Sequence, residues 1–179
     1  DYQKWQEETT RYQGQIEVLY VRNLMAFPDI VYAPGAKYTE SYDSSLITPD
    51  EFTKILEGLY ERNYILIDIS LFEKDGALAD VPVPSGKKPI ALCVEDLSYA
   101  SAKEGGGTVS KLTVDEYGRL CSVTGSTVSY DNESVLILNE FAKTHPDFVY
   151  HGARGMISLT GYDGIFGYRL TSGSQTEID

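Results

Sequence analysis

Two adjacent acids, Glu95 and Asp96, end the apolar run Ile90-Ala91-Leu92-Cys93-Val94. Carboxylates at the carboxyl end of a buried strand stand where α/β folds place their chemistry. Neighbouring residues on a strand point to opposite faces, so one acid can address a pocket while the other turns aside. Where the chain bends away from the strand, both can reach one site. The alternative is a solvated strand end with no chemical role, and spacing alone leaves both readings open.

The elements around the acids follow a recognisable grammar. The uninterrupted apolar run before Glu95 reads as a strand of a parallel sheet covered on both faces. Gln15 to Leu19, extended through Val21, reads as a first strand. Thr48-Pro49-Asp50-Glu51 is the clearest local signal: Thr48 caps a helix, Pro49 fits its first position and Glu51 completes a capping box. Phe52, Ile55, Leu56, Leu59 and Tyr60 then share one helical face. The helix stops near Asn63, and Tyr64 to Ile69 reads as a second buried strand. Strand, loop, helix, strand is the βαβ unit of an α/β fold. The long Asn23–Ser45 connection, with Pro28, Pro34, Gly35 and several aromatic residues, reads as a functional loop.

Beyond Asp96 the pattern changes. Gly105-Gly106-Gly107 is a turn and not a phosphate loop, because no Lys-Ser or Lys-Thr follows at the required offset. Thr108 to Val114 and Arg119 to Thr124 flank Asp115-Glu116-Tyr117-Gly118 as an inserted β-hairpin. Asp131 or Asn132 is expected to cap a helix carrying Leu138, Phe141 and Ala142, which ends at Thr144-His145-Pro146. Phe148–Tyr150 and Gly155–Thr160 are expected to be short strands. Asp75–Lys88 reads as a turn-rich connection. Residues 1–14 read as a linker or short helix, 15–170 as the α/β domain and 171–179 as a frayed tail.

Composition narrows the classes of partner. The chain has 179 residues, enough for one domain with a sizeable core. Its net charge of −12, with 15 scattered Lys and Arg, argues against nucleic acid and anionic membranes. No apolar run reaches the roughly 18 residues that a membrane span needs. The polar start Asp1-Tyr2-Gln3-Lys4, without Met, reads as a processed N-terminus. Cys93 and Cys121 lie in apolar, strand-like runs that suit two buried free thiols, with a disulfide between them as the alternative. Fourteen tyrosines make the chain rich in rings that stack on sugars or fill a core.

The order of these motifs resembles the polysaccharide deacetylase family of carbohydrate esterases. Thr48-Pro49-Asp50-Glu51-Phe52 through Leu66 is similar to that family's opening helix and strand. Lys88-Pro89-Ile90-Ala91-Leu92-Cys93-Val94-Glu95-Asp96 is similar to its strand ending in two aspartates. Phe148 to Arg169, with Gly152-Ala153-Arg154-Gly155 and Leu159-Thr160-Gly161-Tyr162-Asp163-Gly164, is similar to a segment of a secreted branch. The resemblance covers roughly residues 15 to 170.

The resemblance implies a part or divergent form of a distorted (β/α) barrel with an inserted hairpin, located outside the cell or at its surface. It also implies a divalent metal, zinc or cobalt, bound by one aspartate and two histidines. The metal lowers the pKa of its water, a second carboxylate takes the proton, and the acetyl carbonyl is polarised. By position, Asp96 would ligate the metal and Glu95 would be the base. Arg22, Tyr99, Arg154, Tyr162 and Arg169 would line the substrate site for a glycan or cell-wall polysaccharide. The chain would act alone or as a homo-oligomer.

Three departures qualify this. Glu95 replaces the catalytic aspartate. Arg22 stands where the branch carries a histidine at the end of its first strand, and an arginine there would neutralise the acids. His145 and His151 lack the His-x-x-x-His spacing, so His145 reads as a helix-end residue and His151 as a turn residue. Three readings follow: a deacetylase whose remaining ligands lie beyond Asp179, a degenerate deacetylase-like domain that binds glycan or a partner, and an unrelated α/β domain. In the second, the binding surface would comprise the loop Phe27–Tyr42 with Tyr99, Tyr162 and Tyr168, and Arg154 and Arg169 would partner the acid pair.

Overall fold

The computed structural model describes residues 9–74, 77–78 and 82–169. In chain order its elements begin with β1 (Thr9–Arg11), β2 (Glu17–Arg22), α1 (Pro28–Val31), α2 (Thr39–Asp43) and α3 (Pro49–Glu61). They continue with β3 (Tyr64–Leu66), β4 (Glu73–Lys74), β5 (Ala77–Leu78), β6 (Pro82–Pro84) and β7 (Lys88–Glu95). A three-stranded meander follows, β8 (Lys111–Val114), β9 (Leu120–Thr124) and β10 (Thr127–Ser129), then α4 (Ser134–Thr144) and β11 (Met156–Ser158). The result is a mixed α/β chain with several sheets and no closed barrel among the described residues. No helix there is long and apolar enough to cross a membrane.

The main sheet has the order β11-β7-β2, and β3 pairs with β7 in parallel, Ile65 opposite Pro89 and Leu66 opposite Ile90. Helix α3 lies between β2 and β3 in the chain, which is the expected order of strand, loop, helix and strand. Its start is the reciprocal cap that the sequence predicts. The Thr48 N–H donates to Glu51 Oε2 at 2.8 Å, and the Glu51 N–H donates to Thr48 Oγ1 at 3.2 Å. Phe52 and Leu56 are fully buried from its inner face.

Several local expectations change. Thr9–Arg11 is a strand, paired antiparallel with β6, where the sequence suggests a linker or short helix. The loop Asn23–Ser45 holds two short helices, because Pro28 sets the first helical position and Val31 and Tyr42 are buried. Phe148–Tyr150 is not a strand: Pro146–Phe148 and Tyr150–Gly152 are 3-10 turns, and a single parallel bridge joins Leu66 to Val149. Pro146 cannot donate to a ladder, which favours the turn. Neither Asp131 nor Asn132 caps α4. Asp131 accepts from the Ser129 hydroxyl, Asn132 from the Ser122 hydroxyl, and the Glu133 carboxylate takes the Ser134 N–H at 2.7 Å instead. Cys93 and Cys121 are both buried and no disulfide joins them, which removes the disulfide alternative. The expected tail 171–179 lies outside the described residues.

Two compact units emerge. The first takes the chain up to Tyr20, Thr53–Cys93 and Leu138–Met156; the second takes Val21–Phe52, Val94–Ile137 and Ile157 onward. In the first, Ile65, Ile67, Val83 and Ala91 form a buried cluster, flanked by Tyr12, Ile16, Val18 and Tyr150. His145 stacks on Phe141 there, with centroids 4.1 Å apart, and meets the Tyr60 ring edge-on at 4.7 Å. In the second unit, Met25, Val31, Tyr42 and Leu46 pack together, and Tyr38 stacks on Tyr42.

Candidate functional site around Asp96

Strand β7 is buried from Pro89 to Val94 and opens at Glu95 and Asp96, which are half-buried. Beyond it the chain turns sharply. Asp96 and Tyr99 both have left-handed backbones, with φ of 55° and 51°. Aspartate tolerates this conformation, whereas a bulky tyrosine adopts it only when its surroundings hold it there. Those surroundings are explicit. The Phe166 and Gly167 N–H groups donate to the Leu97 and Ser98 carbonyls at 2.8 and 3.1 Å. Arg169 donates from Nη2 to the Tyr99 carbonyl at 2.7 Å and from Nη1 to the Asp163 carbonyl at 2.9 Å. Gly167 lets its own segment approach Ser110 and Lys111: its φ is +86°, and a Cβ there would stand 2.3 Å from the Ser110 carbonyl oxygen and 2.8 Å from the Lys111 Cα.

Tyr99 is locked from the other end as well. Its hydroxyl donates to Glu133 Oε2 at 3.0 Å, and the same carboxylate accepts the Leu24 N–H at 3.2 and 3.3 Å. Glu133 is fully buried, and that burial raises its pKa against the lowering effect of these donors. Burial and the facing carboxylate push the Tyr99 phenol well above its ordinary range. The sequence gives little sign of Glu133, one acid among many before a helix. Tyr99, predicted to touch substrate, is 7% exposed and gives its hydroxyl to Glu133, so it braces the turn.

Asp96 is enclosed by polar partners. Its Oδ1 accepts the Ser98 and Thr160 hydroxyls, each at 2.8 Å, and its Oδ2 lies 3.8 Å from Arg22 Nη2. Its N–H donates to the Ser158 carbonyl of β11 at 2.9 Å. Of the two acids, it is Asp96 that the Arg22 guanidinium reaches. Glu95 differs: its side chain has no hydrogen-bond or ion-pair partner among the described residues. Tyr162 is 70% exposed, and its N–H donates to Thr160 Oγ1 at 3.2 Å, which sets an open ring beside the Thr160–Asp96 bond.

The two other arginines do not partner the acid pair as expected. Arg154 donates to Asn139 Oδ1 and to the Gly152 and Ala153 carbonyls. Arg169 binds the backbone carbonyls named above and lies 3.8 Å from Asp163 Oδ2. The Ser101 hydroxyl and N–H, together with Arg169, hold the Asp163 carboxyl below its usual range.

These residues do not fit a divalent metal as they stand. A cation needs converging anionic or imidazole donors, whereas Asp96 faces the Arg22 guanidinium. Among the described residues no group of three or more His, Cys, Asp and Glu could hold a metal ion. His145 is engaged in its aromatic stack and with Thr144 and the Phe141 carbonyl. His151 sits in a turn with φ 50°. No family model, curated protein or solved structure matches this chain.

Proposed function

We propose that this chain is a deacetylase-like domain, part of a divergent (β/α) barrel, that binds a neutral glycan at the Asp96 face without hydrolysing it. The observation that carries the reading is the Arg22–Asp96 pair at 3.8 Å. A guanidinium beside the would-be ligand supplies the positive charge that a metal would bring, and it repels a second cation. What remains is a recognition surface: the Thr160 hydroxyl, the Glu95 carboxylate, which has no partner among the described residues, and the exposed Tyr162 ring. An open ring beside hydrogen-bonding groups suits a sugar, whose C–H face stacks while its hydroxyls pair.

One observation favours the hydrolytic reading, in which Glu95 is the base: of the pair, it is the acid without a partner among the described residues. That reading requires metal ligands beyond those described and acetate release that depends on Glu95.

Titration of the full chain with chitotetraose, read by amide NMR in EDTA and by acetate assay with added zinc, tests the proposal. It expects shifts at Asp96–Ser98 and Thr160–Tyr162, weakened by Tyr162→Ala, with no acetate released. Acetate release abolished by Glu95→Gln would replace the proposal with the hydrolytic reading. No shift at these amides would remove glycan binding at this face.

A further inference from the structure

The second unit contains a cleft of about 320 Å³ that the Asp96 face does not use. Its volume is at the lower end of the range of small-ligand sites, about 300–1,000 Å³, and suits a single sugar residue. Lys103, Lys111 and Arg169 line it together with one acid, Glu104. This sign is opposite to that of the chain, which carries 27 acidic and 15 basic residues. A concave wall on which cations outnumber acids focuses its field into the cleft and favours a ligand of the opposite charge.

Neither lysine is consumed by a carboxylate. Among the described residues, neither Lys103 nor Lys111 has an acidic partner within ion-pair distance. Lys111 Nζ rests 3.4 Å from the Tyr168 ring centroid, which fixes its stem, and the Tyr168 hydroxyl is itself 2.9 Å from Thr113 Oγ1. Lys103 Nζ stands 5.9 Å from the Tyr42 ring centroid. Arg169 keeps its charge beside Asp163 while its bonds to carbonyls hold it rigid. The Ser110 hydroxyl, also on the wall, has no side-chain partner among the described residues and can donate to or accept from a ligand. Gly125 and Gly167 complete the lining with bare backbone.

We infer that this cleft binds an anionic sugar unit, whose carboxylate or phosphate lies between Lys103 and Lys111 and whose hydroxyls meet Ser110 and the glycine backbone. Lysines act here as point charges, so geometry does not select between the two anions. The inference rests on the glycan-binding reading and extends it to a second, acidic subsite. Its residues differ from those of the Asp96 face, so the two claims fail separately.

The experiment is amide NMR of the full chain titrated with glucuronic acid, glucose 6-phosphate, glucose and inorganic phosphate. Either acidic sugar is expected to shift Ser110, Gly125 and Gly167 while glucose does not. The Lys103→Gln/Lys111→Gln double variant should weaken that binding at least about tenfold, and added salt should weaken it in the wild type. Both lysines are at least partly exposed, so the fold should survive, and the unperturbed remainder of the spectrum verifies it. Three results would overturn the inference. They are no shift at these amides with either acid, equal binding of glucose, and binding unchanged in the double variant. An equal response to inorganic phosphate and glucose 6-phosphate would overturn the sugar in favour of a bare anion.

Discussion

Glu133 Oε2 accepts the Tyr99 hydroxyl at 3.0 Å, and both groups are buried. This bond joins the start of α4 to the strained turn after the acid pair, while the same carboxylate takes the Leu24 N–H close to Arg22 in sequence. One buried acid thus ties the turn that follows Asp96 to the segment that follows Arg22.

Glu133→Ala should cost at least about 3 kcal/mol in urea unfolding, because it orphans three buried donors at about 1–3 kcal/mol each. Glu133→Gln should cost about 1 kcal/mol, since its amide oxygen still accepts backbone N–H groups and the Tyr99 hydroxyl can accept from its nitrogen. The pH dependence has a definite sign. Because folding raises the Glu133 pKa above its ordinary 4.5, its contribution is full below that value and is lost as pH rises through the folded pKa. Glu133→Gln should remove that decline.

Asp115 behaves oppositely. Partial desolvation pushes its pKa up. The Arg119 N–H, the Tyr130 hydroxyl, the Arg119 guanidinium and the Tyr117 N–H more than offset this and hold it at about 2. The hairpin it closes should be intact above the ordinary value of 3.8 and should loosen as pH falls through about 2. Near-ultraviolet circular dichroism of Tyr117 and Tyr130 would follow this, and Asp115→Asn should abolish the acid transition.

Thr48→Ala should destabilise the chain by about 1 kcal/mol, the usual cost of losing an N-cap. Chemical denaturation checks the magnitude, and a loss below about 0.3 kcal/mol would show that the Thr48–Glu51 pair contributes little.

Arg22→Ala should change stability by no more than about 1 kcal/mol, because its side chain is 41% exposed and its pair with Asp96 is long, at 3.8 Å. Its effect should instead appear as a gain in cation affinity at Asp96.

Much of the framework is legible in the sequence because local chemistry dictates it. The Thr48–Glu51 cap, the apolar run before Glu95 and the Asp115–Gly118 turn each carry their own signal within a few residues. The strand β1 and the turns around Phe148 do not: one depends on pairing with β6, distant in sequence, and the other on Pro146 overriding an apolar run. In the site, Arg22 beside Asp96 is an expectation that came with the family resemblance and not from any local signal. Glu133 was not legible, because an acid before a helix reads as a surface residue until the fold buries it against Tyr99. Arg169 was misassigned for the converse reason: its charge suggested the acid pair, whereas its donors serve backbone carbonyls that only the folded turn exposes.

The central claim is that Arg22 neutralises Asp96 and leaves a binding face in place of a metal centre. Calorimetric titration of zinc into the wild type, Arg22→Ala, Asp96→Ala and the double variant tests it most directly. The account predicts no micromolar zinc binding in the wild type and a gain in Arg22→Ala that the further change Asp96→Ala removes. Micromolar zinc binding in the wild type that Asp96→Ala abolishes would contradict it.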